Sequence, residues 1–325
     1  MSQIAKTSNS LLKIDSLSIS YSTLRGSISA VEGASFDVKS GEAFGLAGES
    51  GSGKSTIAQS ILKLLPTNAQ VLSGKILFKE FDILRMKEED FRTKLRWKQI
   101  STVPQAAMNA LTPVHKINNQ IIEAIIAHER VSSEEALIRA EKLLEMVNIP
   151  KDRGKDYPHQ FSGGMKQRAV MAMALACNPS LLIADEPTTG LDVITQAEVL
   201  TLLNRLKSKL DLSLIFITHD LSILSELCDR IAIMHSGKIV EQAYSKSIFT
   251  NPIHPYTKAL IGSYPDIEAE RDKLTTISEI KSKKSAAGSD CSFYSKCEKS
   301  RKQCLEEKLE YHEVEKGHYV LCHIK

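Results

Sequence analysis

The sequence predicts an α/β protein with a mixed sheet, and three short runs predict it. EAFGLA (residues 42–47) is apolar and of strand length; it feeds a glycine-rich turn, GESGSGKST, and then the helical run IAQSILKLL. LLIADEPTTGLD holds a second apolar strand (residues 181–184) that ends in two carboxylates, Asp185 and Glu186. LSLIFITHD holds a third (residues 212–217), again apolar first and polar at its end. Short apolar runs bounded by turns are the mark of buried strands. At 325 residues the chain suffices for one large domain or two ordinary ones. Its composition, 42% hydrophobic and 25% charged, is that of a globular protein.

Bulk properties exclude some classes. A net charge of +3 is too small to argue for nucleic acid. No apolar stretch approaches the roughly 18 residues needed to span a bilayer. The opening MSQIAKTSNSLLKID has no apolar core next to its cations, so no secretory signal is expected. The expectation is a cytosolic protein that reaches a membrane only through a partner.

The first strand serves a phosphate loop. Gly48, four residues, then Gly53-Lys54-Ser55 match the spacing that wraps nucleotide phosphates, with a strand before it and a helix, stopped at Pro66, after it. Gly48, Ser50, Gly51 and Gly53 let successive backbone N–H groups converge as an anion nest. The helix N-terminus adds the positive end of its dipole. Lys54 is assigned to the β- and γ-phosphates, Ser55 to Mg²⁺ and Thr56 to a further phosphate contact. A ligand-free strand-to-helix turn is the plain alternative, and the complete strand, loop and helix context argues against it.

The second strand supplies the carboxylates. Ligands of parallel α/β sheets sit at the C-terminal edge of the strands. Asp185 is therefore assigned to the Mg²⁺ shell, and Glu186 to polarising an attacking water, a role that contributes about 10²–10⁴-fold. The expected chemistry is hydrolysis rather than binding alone. His219, ending the third strand, has two readings: a structural histidine or a contact to the γ-phosphate.

Between these strands lies HQFSGGMKQRAVMAMALA, whose two glycines and two cations could form a turn, an anion nest or a helix start. A helix is expected over residues 165–176. One nucleotide does not need two phosphate-facing helix N-termini, so Ser162, Gly163 and Gly164 are assigned to a nucleotide held by another subunit. The stretch from Gln105 to Ser162 reads as helical. Within it, SSEEALIRAEKLLEMV opens with a capping box, Ser132 and Glu135, and carries an apolar stripe through Leu137, Ala140, Leu144 and Val147.

Six motifs in order, GESGSGKST, STVPQ, FSGGMKQR, LLIADEP, TGLD and ITHD, resemble those of the ABC-transporter ATPases over residues 11 to about 265. FSGGM is similar to the family signature LSGGQ, with Phe161 for the leucine and Met165 for the glutamine. The resemblance implies a P-loop ABC ATPase core over residues 11–250. It would carry an antiparallel β subdomain (about 11–40 and 71–82) and an inserted helical subdomain (about 86–165) that docks on a membrane partner. It implies ATP and Mg²⁺, two ATPs being sandwiched between head-to-tail subunits, with Ser162 and Gly164 touching the γ-phosphate on the opposing subunit. By position, Gln105 resembles the residue that senses Mg²⁺ and couples to the transmembrane subunits, and Asp192 that of the loop crossing the dimer interface. Tyr21, in LSISYS, resembles the aromatic that stacks on adenine, an ordinary strand tyrosine being the alternative. Lys54, Gln105, Glu186 and His219 form the implied catalytic set.

NPIHPYTKALIGSYP (residues 251–265) resembles the segment that opens the C-terminal extension of dipeptide and oligopeptide permease ATPases, and MNALTPV fits the same branch. MKQRAVMAMAL is similar to the D-type subunit. The resemblance implies a heterodimer with an F-type ATPase, two transmembrane permeases, a substrate-binding protein engaged indirectly, and a place on the cytoplasmic face of the membrane. Relatives that import oligosaccharides share this machinery, so the cargo stays open. The rival class, soluble ABC ATPases acting on nucleic acid or ribosomes, usually carries two cassettes or a long coiled coil, and this sequence reads as one cassette; no nucleic-acid partner is expected.

Of six cysteines, Cys177 and Cys228 lie in apolar runs and read as small hydrophobes. Past a flexible linker expected at residues 281–290 come Cys291, Cys297, Cys304 and Cys322, separated by 5, 6 and 17 residues. That spacing is unlike the paired C-x₂-C of zinc ribbons, and a disulfide framework is out of place in a cytosolic ATPase. Four thiolates suit an iron–sulfur cluster, and the four-cysteine tail of the permease branch implies a [4Fe–4S] cluster. Phe293 and the ending His318-x-x-x-Cys322 fit that pattern, although the proline often found after the third cysteine is missing. Zinc, with His318 or His323 as alternative ligands, and a metal-free tail stay open. Over residues 281–325, 10 Lys and Arg against 7 Asp and Glu make a mixed solvated surface.

Overall fold

The computed structural model describes residues 10–263 and 291–323. The expected linker at 281–290 and the end of NPIHPYTKALIGSYP lie outside the described residues. β1 (Ser10–Thr23) and β2 (Gly26–Lys39) form an antiparallel hairpin. The most deeply buried residues of β1, each at most 1% exposed, are Leu12 and Ile14, then Leu17 and Ile19, so the period of two slips by one residue. A bulge absorbs the slip: Ser16 adopts φ 50 and the pairing shifts between Ile14 and Leu17. β3 (Ala43–Ala47), buried throughout, leads through the phosphate loop to α1 (Lys54–Ile61). β4 (Ala69–Phe78) returns antiparallel to β1, and β5 (Phe81–Asp82) completes a four-stranded sheet of order β2-β1-β4-β5.

α2 (Glu88–Lys94) carries three acidic residues in its first turn and Arg92 and Lys94 in its last, as the helix dipole favours. After β6 (Ile100–Val103) come α3 (Ile117–His128), α4 (Ser133–Met146) and α5 (Gly163–Ala174), and then β7 (Leu181–Asp185). Glu135 N–H donates to Ser132 Oγ at 3.1 Å, capping α4 as its sequence predicts. Of the expected stripe, Ala140, Leu144 and Val147 are buried, joined by Ala136 and Leu143, while Leu137 is corrected, being 38% exposed. Leu137 lies one position, about 100°, around the helix from Ala136. α5 starts earlier than expected, because Ser162 rather than a glycine caps it and both glycines enter its first turn.

α6 (Val193–Leu210), β8 (Ser213–Thr218), α7 (Leu221–Leu227), β9 (Arg230–His235) and β10 (Lys238–Tyr244) follow, then α8 (Ser245–Thr250) and α9 (Pro255–Gly262). The last described segment holds α10 (Gln303–Glu306), β11 (Tyr311–Glu315) and β12 (His318–Leu321). The main sheet has eight strands in the order β11-β12-β10-β9-β3-β8-β7-β6. β3 runs parallel to β8 on one side and β9 on the other, and β7 is parallel to β6 and β8. β10, β12 and β11 extend the edge antiparallel, so the cysteine-bearing tail joins the main sheet through its hairpin.

The sheet is buried on both faces, which explains its unbroken apolar strands. Leu182, Ala184, Leu214 and Phe216 face a core shared with α3 to α7, whereas Leu181, Ile183, Ile215 and Ile217 face one shared with the four-stranded sheet and α1. Parallel pairing brings the C-terminal ends of β3, β7 and β8 to one edge, where the site lies. Among the described residues no helix is long and apolar enough to cross a membrane.

Candidate functional site: a phosphate loop beside two carboxylates

The loop after β3 is a cradle closed by its own lysine. Lys54, 5% exposed, donates from Nζ to the carbonyls of Gly48 and Glu49, both at 2.8 Å, and lies 3.3 Å from Ser52 Oγ. Burial lowers the Lys54 pKa, and the charges of Glu186, Asp185 and Glu49 oppose that shift. Gly53 caps α1 at φ 106, where an added Cβ would come within 2.3 Å of the Ala30 carbonyl. Only glycine fits such a position. Ser50 and Gly51 lie on the exposed part of the loop, ahead of Ser55 and Thr56 in the first turn of α1. Tyr21 stands on β1 beside that turn, its hydroxyl 3.2 Å from Thr56 Oγ1.

The two carboxylates differ in protonation behaviour. Burial raises the Asp185 pKa, a hydrogen bond from Ser55 opposes the rise, and the Glu186 charge adds to it. Asp185 Oδ1 is buried with no hydrogen-bond partner among the described residues. An orphaned anionic oxygen next to the Ser55 hydroxyl fits a divalent cation, which would fill the missing interaction and oppose the upward shift.

Glu186 is half-buried, and burial alone would raise it, but hydrogen bonds from His219 and Thr189 and nearby positive charge hold it below the usual carboxylate range. Its Oε1 lies 3.0 Å from His219 Nδ1. Its Oε2 accepts from Thr189 Oγ1 at 3.1 Å and from Gln105 Nε2 at 3.3 Å. Glu186 also has φ 46, a left-handed backbone rare for such a residue and common at working sites. Three expected residues, Gln105, Glu186 and His219, therefore meet in one hydrogen-bonded group. Thr189 joins them unforeseen; its place three residues after Glu186, in PTTGLD, was the available signal.

Ser162, Gly163, Gly164 and Asp192 lie elsewhere. Ser162 Oγ accepts the Met165 N–H at 3.3 Å at the start of α5. Asp192 caps α6, its carboxylate accepting from Thr195 N at 3.0 Å and Thr195 Oγ1 at 2.7 Å. The two helix starts touch, since a Cβ on Gly164 would come within 2.4 Å of Thr195 Cγ2. No hydrogen bond among the described residues joins this pair to the phosphate loop.

In the tail, Cys297, Cys304 and Cys322 are each 7% exposed. Burial pushes the Cys291 thiol up to about 11; a backbone N–H of Phe293 opposes this, and charge repulsion from Cys322, Cys304 and Cys297 adds to it. The four sulfurs thus share one neighbourhood. Among the described residues, however, no three His, Cys, Asp or Glu are grouped so as to hold a metal ion. His318 Nε2 is engaged 2.7 Å from Glu241 Oε1, and His323 Nε2 lies 3.4 Å from the Glu307 carbonyl. Cys177 and Cys228 are buried, and burial raises both thiols.

Known proteins share this architecture. Residues 31–189 match the family model for the ABC transporter, and residues 240–304 that for the oligopeptide/dipeptide transporter C-terminal region. The dipeptide transport ATP-binding protein DppD of Bacillus subtilis is 43% identical over 290 residues, covering 88% of this chain and 86% of that protein. The oligopeptide transport ATP-binding protein OppD of the same organism is 45% identical over 271 residues, 82% of this chain and 75% of that one. Among solved structures, the dimeric post-hydrolysis state of the ATP-binding cassette MJ0796 bound to ADP and Pi is 28% identical with a TM-score of 0.64, covering 72% of this chain and 98% of that one. With its phosphate loop, carboxylate strand and matched C-terminal region, the chain belongs to the ABC ATPases of the dipeptide and oligopeptide transporter family.

Proposed function

We propose that this protein is the ATP-hydrolysing subunit of an importer for di- or oligopeptides, with oligosaccharides as the alternative cargo. One observation carries the hydrolytic reading: Glu186 is held ionised at the strand edge by His219, Thr189 and Gln105, across from Lys54 and Ser55. ATP enters the loop of Gly48, Ser50, Gly51 and Gly53. Lys54 gives up its carbonyl partners for the β- and γ-phosphates, Thr56 adds a contact, and Tyr21 stacks on adenine. Ser55, Asp185 and Gln105 would hold Mg²⁺, which would offset the phosphate charge. Glu186 accepts a hydrogen bond from the attacking water and orients it toward the γ-phosphorus; the P–O bond to ADP breaks as the new one forms. His219 contacts the γ-phosphate.

Ser162, Gly163, Gly164 and Asp192 serve the site of a second ATPase. Their joint placement at the starts of α5 and α6, away from the loop of their own chain, supports this, as does the dimer formed by the cassette MJ0796. The second subunit is an F-type ATPase in a heterodimer. The helical subdomain of about residues 86–165, which exposes Val114, Ile126 and Ile138, docks on one of two permeases at the cytoplasmic face of the membrane. The substrate-binding protein acts through those permeases, and nucleic acid has no part.

The cassette spans residues 11–250 and the extension 251–325. Cys291, Cys297, Cys304 and Cys322 carry a [4Fe–4S] cluster. Their shared, mostly buried neighbourhood supports it. Iron and acid-labile sulfide in the anaerobically purified protein test this, and a zinc-only or metal-free product overturns it.

The test of the main reading is capture of Glu186→Gln with Mg²⁺–ATP in mild detergent, the bound chains being identified by mass spectrometry. Two permeases and a second ATPase are expected. Ribosomal or DNA-repair partners with no membrane subunit would overturn transport while leaving the ATP site in place.

A further inference from the structure

We infer that Tyr256 is a positioning residue of the phosphate loop and couples the cysteine-bearing tail to nucleotide affinity. The inference rests on residues 48–56 being the ATP site. Tyr256, the second residue of α9, is fully buried. Its hydroxyl accepts the N–H of Glu49 at 3.3 Å. The carbonyl of that same peptide group, Gly48 O, accepts Lys54 Nζ at 2.8 Å. One peptide plane of the loop is thus held from both ends, by the site lysine and by Tyr256.

That plane needs holding. Gly48 has φ 146, a region open to glycine and closed to other residues, so side-chain sterics do not fix its orientation. When phosphate draws Lys54 from the Gly48 carbonyl, the bond from Glu49 to Tyr256 still keeps the amide end in place. A tyrosine that only filled the core would gain nothing from its hydroxyl, since phenylalanine has nearly the same volume.

The tail backs the ring. Phe293, two residues after Cys291 and 2% exposed, meets Tyr256 edge-on at 5.5 Å between centroids. The His235 ring lies 4.4 Å from that of Tyr256 between centroids and also meets Phe293 edge-on at 5.6 Å, and its Nδ1 is 2.7 Å from Ser292 Oγ. The start of α9 is clamped as well. Glu241 accepts the N–H groups of Ile253 and His254 at 2.8 and 2.9 Å and contacts His318 of β12 at 2.7 Å. Residues 292, 293 and 318 of the tail therefore fix Tyr256, and Tyr256 fixes the loop. Coupling of this kind is reciprocal: if an ordered tail favours nucleotide, nucleotide must favour an ordered tail.

Tyr256→Phe in the full chain keeps the ring and removes the hydroxyl. Mg²⁺–ATP binding and hydrogen exchange across residues 291–297 would be measured for wild type and variant, with thermal melting as the check on folding. The expected result is about fivefold weaker binding, the size of one neutral hydrogen bond, a kcat changed less than twofold, and loss of the slowing of tail exchange that ATP produces in wild type. Phe293→Leu, acting from the tail, should weaken binding in the same direction and serves if Tyr256→Phe folds poorly. Binding within twofold of wild type in a folded variant would overturn the inference. So would tail exchange indifferent to ATP in wild type, since no coupling would then exist. Failure of wild type to bind Mg²⁺–ATP at all would instead remove the ATP-site reading and the inference with it.

Discussion

Asp185 and Glu186 are chain neighbours whose surroundings push them apart. Asp185 points into the protein beside Ser55 and resists ionisation because it is buried; Glu186 receives hydrogen bonds and stays charged. Environments that push neighbouring carboxylates apart mark them for different roles, which is what the proposed division between Asp185 and Glu186 requires. Glu186→Gln should keep Mg²⁺–ATP binding while phosphate release falls about a hundredfold, the lower end for general-base removal, and in any case below about a tenth of wild type. Turnover above that level would take Glu186 out of the role. Gly164 gives a second prediction, because its missing side chain is filled by Thr195 Cγ2. Gly164→Ala should cost about 1–3 kcal/mol as an overpacking change, read from denaturant melts. Adding Thr195→Ser, which removes that methyl and keeps the hydroxyl on Asp192, should restore much of the loss. No restoration would mean that the strain lies elsewhere.

Elements were legible where their signals were local. The cap of α4 is written in Ser132, and the bounds of β3, β7 and β8 differ from the expected runs by a single residue at any end. The stripe of α4 holds at Ala140, Leu144 and Val147 and fails only at Leu137, which is more hydrophobic than its neighbour Ala136 yet faces out, because only packing chooses the buried face. α9 holds the element-scale prediction. Burial pushes its N-cap, His254, down to about 3 from the ordinary 6.5, with the charge of His235 adding to the effect. The unfolded chain then binds a proton that the folded one refuses, so stability falls as pH drops below about 6.5 and continues to fall toward about 3, by up to about 1.4 kcal/mol per pH unit. Burial lowers His235 too, which acts with the same sign. Thermal melts from pH 7.5 to 5 should show this slope, and His254→Asn should flatten it.

At the scale of the molecule, the sheet gathers three strand ends into one site, and the starts of α5 and α6 lie away from it, as the proposed second subunit requires. The capture experiment belongs to this scale, since the proposal that Ser162 and Asp192 serve the site of a second ATPase predicts that such a chain is captured with this one. The cysteine-bearing tail is tied into this molecule in a way no motif announces: it adds β12 and β11 to the edge of the main sheet and inserts Phe293 and Cys297 into the main core.

The sequence by itself determined the phosphate loop, the carboxylate strand and the cap of α4, because their chemistry needs residues a few positions apart whose spacing the backbone converts directly into geometry. Tertiary structure alone decided that Gly164 meets Thr195, that Leu137 faces out, and that Tyr256 reaches a loop amide 207 residues away. Those contacts depend on how whole elements pack, and no periodicity or motif spacing encodes the meeting of two distant surfaces.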